Sequence, residues 1–154
     1  MVEIERKFLV IHTTFLNNIN GKRIAQGYLS SDPERTVRVR VKGDQGFLTI
    51  KGKSSDNGLS RYEWEKEITI TEAQDLLKIC LPGIIDKTRY EILIGAHIWE
   101  IDLFHGANDG LIIAEVELTS EGETVILPSW IDREVTGDKL YYNSYLCMSP
   151  FKDW

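Results

Sequence analysis

Eight times along this chain apolar and polar side chains alternate with a period of two, at about 2–10, 24–30, 35–42, 46–52, 60–70, 84–94, 97–104 and 111–119. Successive strand side chains point to opposite faces, so each segment reads as a β-strand with one apolar and one polar side. Turn-forming residues fill the gaps: Asn17 to Gly21, Gly43-Asp44-Gln45-Gly46, Asp56-Asn57-Gly58, Gly95-Ala96 and Gly106 to Gly110. Eight strands with short connections imply an antiparallel sheet that closes as a barrel or splits as a sandwich. One helix interrupts the run, with Thr71 expected to cap it, Gln74 to complete a capping box, and Ala73, Leu76, Leu77 and Cys80 at helical spacing before Leu81-Pro82-Gly83 ends it. Beyond Pro128 the period weakens, and short helices are expected around Ser129–Glu134 and Leu140–Met148.

The polar faces carry charge, and the charge is sorted. Glu3, Glu5 and Lys7 oppose Val2, Ile4 and Phe8; Arg38 and Arg40 oppose Val37, Val39 and Val41; Lys51 opposes Ile50. Glu63 and Glu65 oppose Tyr62 and Trp64, Lys87 and Arg89 oppose Thr88 and Tyr90, Glu100 and Asp102 oppose Trp99 and Ile101, and Glu115 and Glu117 oppose Ala114 and Val116. A single amphipathic sheet with one wet face also alternates. It does not call for same-sign pairs at i and i+2 on strand after strand, with acid pairs and base pairs on different strands.

A barrel with its polar face inward uses this arrangement. An eight-stranded barrel is just wide enough for side chains or one small ligand, and burying ionised groups dry costs several kcal/mol each. Such a lumen is wet and is best stabilised by a polyanion and a metal. Arginine grips phosphate oxygens as a bidentate fork and lysine as a point charge, so Lys7, Arg38, Arg40, Lys51, Lys87 and Arg89 suit successive phosphoryl groups. Paired carboxylates suit Mg²⁺ or Mn²⁺.

Other classes find less support. With 42% hydrophobic and 27% charged residues the chain has the composition of a soluble globular domain. It has no apolar run of membrane-spanning length and no signal-peptide pattern, so the cytoplasm is expected. The net charge of −6 argues against a nucleic-acid-coating surface. Cys80 and Cys147 lack CxxC spacing and His12, His97 and His105 form no cluster, so reduced thiols are expected rather than zinc or a disulfide. No serine, cysteine or histidine stands as an obvious nucleophile, which favours direct attack by water.

In order along nearly the whole chain, Glu3-Ile4-Glu5-Arg6-Lys7, Gln26-Gly27-Tyr28-Leu29, Arg38-Val39-Arg40, Leu48-Thr49-Ile50-Lys51, Glu63-Trp64-Glu65, Lys87-Thr88-Arg89-Tyr90, Asp102, Glu115-Val116-Glu117 and Gly137-Asp138-Lys139 resemble the CYTH domain, or triphosphate tunnel metalloenzyme, family. The resemblance implies one domain over 1–154, a mainly β (α+β) fold built on an eight-stranded antiparallel tunnel with a few flanking helices, and metal-dependent hydrolysis of triphosphates, chiefly inorganic triphosphate to pyrophosphate and phosphate. It implies Glu3, Glu5, Asp102, Glu115 and Glu117 as metal ligands, and Lys7, Arg38, Arg40, Lys51, Lys87, Arg89 and Lys139 as phosphate binders. Glu63 and Glu65 match an acidic pair suited to a second metal or to positioning water. Glu5, Lys7, Lys87 and Glu63 are the expected catalytic groups. Leu140 departs from the arginine common in bacterial relatives, and Tyr28 is a candidate for one tunnel mouth.

Other branches of that family hydrolyse thiamine triphosphate or RNA 5′-triphosphates, or cyclise ATP as class IV-type adenylate cyclases. No pattern here reads adenine. A non-catalytic polyphosphate or nucleotide sensor would use the bases but has less need of so many carboxylates. No membrane or nucleic-acid partner is expected, and monomer and homodimer are both left open.

Overall fold

The computed structural model describes all residues, 1–154. The strands are β1 (Val2–Val10), β2 (Lys22–Ser30), β3 (Arg35–Lys42), β4 (Gln45–Ser54), β5 (Ser60–Ile68), β6 (Ile85–Ile94), β7 (His97–Phe104), β8 (Ile112–Glu117) and β9 (Ile131–Glu134). Antiparallel pairing runs β5-β4-β3-β2-β6-β7-β8-β1, and a further β1–β5 pairing closes the ring into an eight-stranded barrel. All eight alternating segments are therefore strands of one barrel. No helix is long and apolar enough to cross a membrane.

The ninth strand corrects an expectation, since Ser129–Glu134 does not form a helix. β1 gives one edge to β8 along Glu5–Leu9, while its other edge is taken by β5 only over Val2–Ile4. The rest of that edge would leave unpaired backbone groups, a cost that outweighs the weak local preference of residues 129–134. β9 covers it through the Phe8↔Glu134 and Val10↔Ile131 registers, and Val135 N–H donates to Lys7 O at 2.8 Å.

Helix α1 (Ile70–Leu77) starts two residues earlier than the Thr71 cap implied. Thr69 Oγ1 accepts from Glu72 N–H at 3.1 Å and Glu72 Oε2 accepts from Thr69 N–H at 2.9 Å, so the capping box is Thr69/Glu72 rather than Thr71/Gln74. The expected helix at Leu140–Met148 is divided into a 3₁₀ turn at Lys139–Tyr141 and the one-turn helix α2 (Asn143–Leu146).

Apolar residues pack in two places. Outside the barrel, Phe8, Trp99, Ile101, Ala114 and Val116 are covered by Leu16, Leu118 and Trp130. The second cluster changes the picture of the lumen. Ile85, Phe104 and Ile113 share strand parity with Lys87, Asp102 and Glu115, so they too point inward, and they pack under Val135, Tyr141 and Leu146. The C-terminal segment thus caps an apolar plug in one end of the barrel, and only the remainder of the lumen is charged.

The β4–β5 connection lies against the turn after β9, with Gly58 and Gly137 in backbone contact at φ of +74° and +77°. A Cβ on Gly58 would stand 2.2 Å from Gly137 Cα. Both the left-handed φ and the collision fall on backbone, which cannot swing aside. Gly58→Ala is expected to cost about 2 kcal/mol or more, read as a fall in the chemical-denaturation midpoint.

Candidate active site

The barrel encloses a cavity of about 220 Å³ with seven acids (Glu3, Glu5, Glu63, Glu65, Glu100, Glu115, Glu117) and seven bases (Lys7, Arg38, Arg40, Lys51, Arg61, Lys87, Arg89) in its lining. Strand order arranges them. Going around the ring, β5, β1, β8 and β7 are contiguous and carry Glu63, Glu65, Glu3, Glu5, Glu115, Glu117, Glu100 and Asp102. β6, β2, β3 and β4 complete the circle and carry Lys87, Arg89, Arg38, Arg40 and Lys51, with neutral Gln26 and Tyr28 on β2. An acidic half therefore faces a basic half, with Lys7 and Arg61 as the two bases on acidic strands.

Ion pairs join the halves. At the β4–β5 seam Lys51 Nζ lies 3.2 Å from Glu63, and it also donates to Glu3 Oε2 at 2.7 Å. Glu65 accepts from Thr49 Oγ1 at 2.6 Å and lies 3.3 Å from Arg38 and 3.6 Å from Arg40. At the β6–β7 seam Arg89 donates from Nε and Nη2 to the two oxygens of Asp102, at 2.7 and 2.8 Å, and from Nη1 to Glu100 at 2.8 Å. Lys87 Nζ donates to Asp102 at 2.8 Å and to Asn143 Oδ1 at 3.1 Å. An ammonium has three hydrogens, so Lys87 keeps one for a ligand.

The acidic half holds more like charge than its neighbours offset. Glu5 faces Glu117, and Glu100 faces Glu115, as direct cross-strand partners, where like charges repel. Burial, then Glu115 and Glu3, push the Glu5 carboxyl up to about 8. Burial likewise raises Glu117, with Glu3 and Glu100 adding to it. Glu115 goes the other way: burial would raise it, but Lys7 and Arg89 bring it down to about 2. On the basic side, burial lowers Lys87 to about 8 against the pull of Asp102, and burial with Arg38 and Arg89 lowers Arg40 to about 10. No three carboxylates of the cavity are drawn together as a ready-made metal site; the Glu3, Glu5, Glu115 and Glu117 region is where a divalent cation would relieve the burial and repulsion that keep a proton on Glu5.

Two expected site residues stand apart from the cavity. Asp102 is 1% exposed and absent from the lining; both its oxygens are taken by Lys87 and Arg89. Lys139 is exposed and lines a separate outer groove of about 580 Å³, which meets the tunnel at Thr36, Ser54, Arg61, Tyr142 and Ser144. The other expected residues, Glu3, Glu5, Lys7, Arg38, Arg40, Lys51, Glu63, Glu65, Lys87, Arg89, Glu115 and Glu117, all line the cavity, as does Tyr28. Sequence reasoning passed over Arg61, whose parity with Glu63 and Glu65 places it inward. It also passed over Tyr142 and Asn143, which no strand period could have found because they come from the C-terminal turn. Tyr142 lies under Lys7, with Nζ 5.5 Å from its ring centre, and Lys7 Nζ donates to Tyr141 O at 3.4 Å.

A closed antiparallel barrel with a sorted, charged lumen defines a class of protein, a barrel whose cavity is lined to receive a polyanion. The chain belongs to the CYTH domain family, whose model matches residues 1–142. It is 44% identical to an inorganic triphosphatase of Acetivibrio thermocellus over 153 residues, covering 99% of this chain and 97% of that protein. It is 38% identical to an inorganic triphosphatase of Nitrosomonas europaea, covering 97% and 99% respectively. The crystal structure of an inorganic triphosphatase superposes with a TM-score of 0.67 at 32% identity, over 95% of this chain and 94% of that one.

Proposed function

We propose that this chain hydrolyses inorganic triphosphate to pyrophosphate and phosphate, with Mg²⁺ or Mn²⁺, inside the tunnel. The observation that carries the reading is the division of the lumen into a basic half facing an acidic one. Full-length similarity to two inorganic triphosphatases supports it. Among the residues lining the cavity only Tyr28, Leu59 and Tyr142 offer apolar bodies. That wall suits an inorganic chain better than an organic ring.

Lys7, Arg38, Arg40, Lys51, Lys87 and Arg89 bind the phosphoryl oxygens, and Glu3, Glu5, Glu115 and Glu117 would hold the cation. When bound, the cation neutralises phosphate charge and draws electron density from the phosphorus under attack. Phosphoryl transfer asks mainly for positioning and for charge stabilisation as negative charge moves to the leaving oxygen. The basic half is aimed at that charge. Lys87, poised near pH 8 with one hydrogen position left for the cavity, orients the attacking water and, in its neutral form, accepts its proton. Glu63 and Glu65 act as counter-ions that hold Lys51, Arg38 and Arg40 in place, and Asp102 does the same for Lys87 and Arg89 from behind the wall.

A second reading rests on the outer groove, where Pro33, Tyr142, Tyr145 and Met148 give a more apolar wall next to Lys53 and Lys139. A thiamine or nucleoside group could lie there with its phosphates in the tunnel. Phosphate release should be measured from inorganic triphosphate, thiamine triphosphate, ATP and pyrophosphate, each with Mg²⁺, Mn²⁺ or chelator, with cyclic AMP assayed in parallel. Inorganic triphosphate is expected to be turned over fastest, with activity lost in chelator and restored by metal. Tight binding without metal-dependent turnover would leave a sensor, and cyclic AMP would make the chain a cyclase.

A further inference from the structure

Gln26 is fully buried on β2, in the basic half, and its Oε1 has no hydrogen-bond partner. Its only side-chain hydrogen bond is a long one, Nε2 to Tyr28 Oη at 3.5 Å. Directly across the β2–β3 pairing stands Arg40, whose buried Nε–H also has no partner. An unmatched acceptor and an unmatched donor thus face each other on the same side of adjacent strands, where Cβ atoms are about 5 Å apart. Buried polar groups left unpaired are costly, so a rotation that brought these two complementary orphans together would relieve both. On its other flank Arg40 lies over Phe47, its β4 partner, with Cζ 5.5 Å from the ring centre. Glu65, 3.6 Å from Nη2, is the one carboxylate in ion-pair contact with it.

We infer that Gln26 is a positioning residue for Arg40: when a phosphoryl group occupies the basic half, Gln26 Oε1 accepts from Arg40 Nε–H and leaves both terminal nitrogens of the guanidinium to the phosphate. Phe47 fixes the tilt of the guanidinium plane and Gln26 fixes its rotation within that plane. A fork held at both flanks loses less freedom on gripping an oxyanion, so the effect falls on affinity rather than on the chemical step. A neutral amide fits the role because a carboxylate there would neutralise Arg40 and compete with the ligand. The inference rests on the proposed triphosphate reading of the tunnel.

The test is a double-mutant cycle of Gln26→Met, which keeps the volume, with Arg40→Lys, which keeps the charge and lacks Nε–H. Binding of inorganic triphosphate is measured by titration calorimetry in chelator, and KM and kcat with Mg²⁺. Gln26→Met is expected to weaken binding and raise KM about tenfold, with kcat within about twofold, and to add almost nothing in the Arg40→Lys background. Equal losses in both backgrounds, or no loss in either, would overturn the inference. Gln26→Leu serves the same cycle should the methionine variant not fold. Binding without turnover by the unaltered protein would sink the hydrolase reading alone, because the coupling is still read in the dissociation constants.

Discussion

Glu5→Gln is expected to reduce triphosphate turnover by about a hundredfold or more while making the metal-free protein more stable. The two effects have one cause. Burial, with Glu115 and Glu3 adding to it, keeps the Glu5 carboxyl protonated up to about 8, and Glu117 stands across from it in the β1–β8 pairing. A neutral amide relieves that cost and also removes an anionic ligand from the proposed cation site.

The pH dependence follows in sign. Below the ordinary value of 4.5 Glu5 is protonated in folded and unfolded chains alike. From 4.5 to about 8 the unfolded chain loses the proton and the folded one keeps it, so stability falls as pH rises through that window. In chelator the unaltered protein should therefore lose stability between about pH 5 and 8, and Glu5→Gln should flatten this part of the curve. Mg²⁺ or Mn²⁺ should restore stability at pH 8 to the unaltered protein more than to the variant. Undiminished turnover in the variant, with the same metal-induced rise in Tm, would remove Glu5 from the site.

Asp102→Ala is expected to be the most destabilising single change among the tunnel charges. Asp102 is the shared counter-ion of Lys87 and Arg89, and burial would raise its carboxyl were it not for those two cations, which hold it well below the usual range. Removing one partner of a buried ion pair costs about 3–5 kcal/mol because the other charge is left without compensation. Two features keep the loss near the lower bound: Arg89 retains Glu100 at 2.8 Å, and Lys87, already near 8, can shed its proton. For a chain of this length about 3 kcal/mol corresponds to a fall in Tm of roughly 6–12 °C.

The stabilisation from Asp102 is present above its unfolded value of 3.8 and is lost as pH falls below it. The exposed Arg6–Glu134 pair, also well formed at 2.7 Å, is the control. Glu134→Gln there should cost under about 1 kcal/mol. Metal titration separates the two roles considered for Asp102. A counter-ion leaves metal affinity within a few fold in Asp102→Ala, whereas a ligand takes most of that affinity with it.

Much of the site could be read from parity alone. A strand shows its side chains alternately, so Glu3, Glu5 and Lys7, or Lys87 and Arg89, must share a face whatever the strand pairs with. Arg61 was within reach by the same rule. Asp102 shows where the rule stops, since parity placed it inward but could not show that it would be consumed by Lys87 and Arg89 behind the cavity wall. The segment 129–134 shows a second limit: its residues 131–134 became a strand because β1 had a bare edge, a fact held by residues more than a hundred positions away. Thr69 against Thr71 as the helix cap was a local ambiguity that the capping-box bonds resolved.

The sequence by itself determined the strands, their faces and the sorting of like charges, because these depend on a period of two and on residue type. Only the tertiary structure decided that acid strands and base strands would gather into two opposed halves, since the circular order of strands is set by long-range pairing. It also decided that Ile85, Phe104 and Ile113 would plug one end and that Tyr142 and Asn143 would enter the lumen from the C-terminal turn. These are matters of closure, and no local pattern encodes which distant residues a closed barrel brings together.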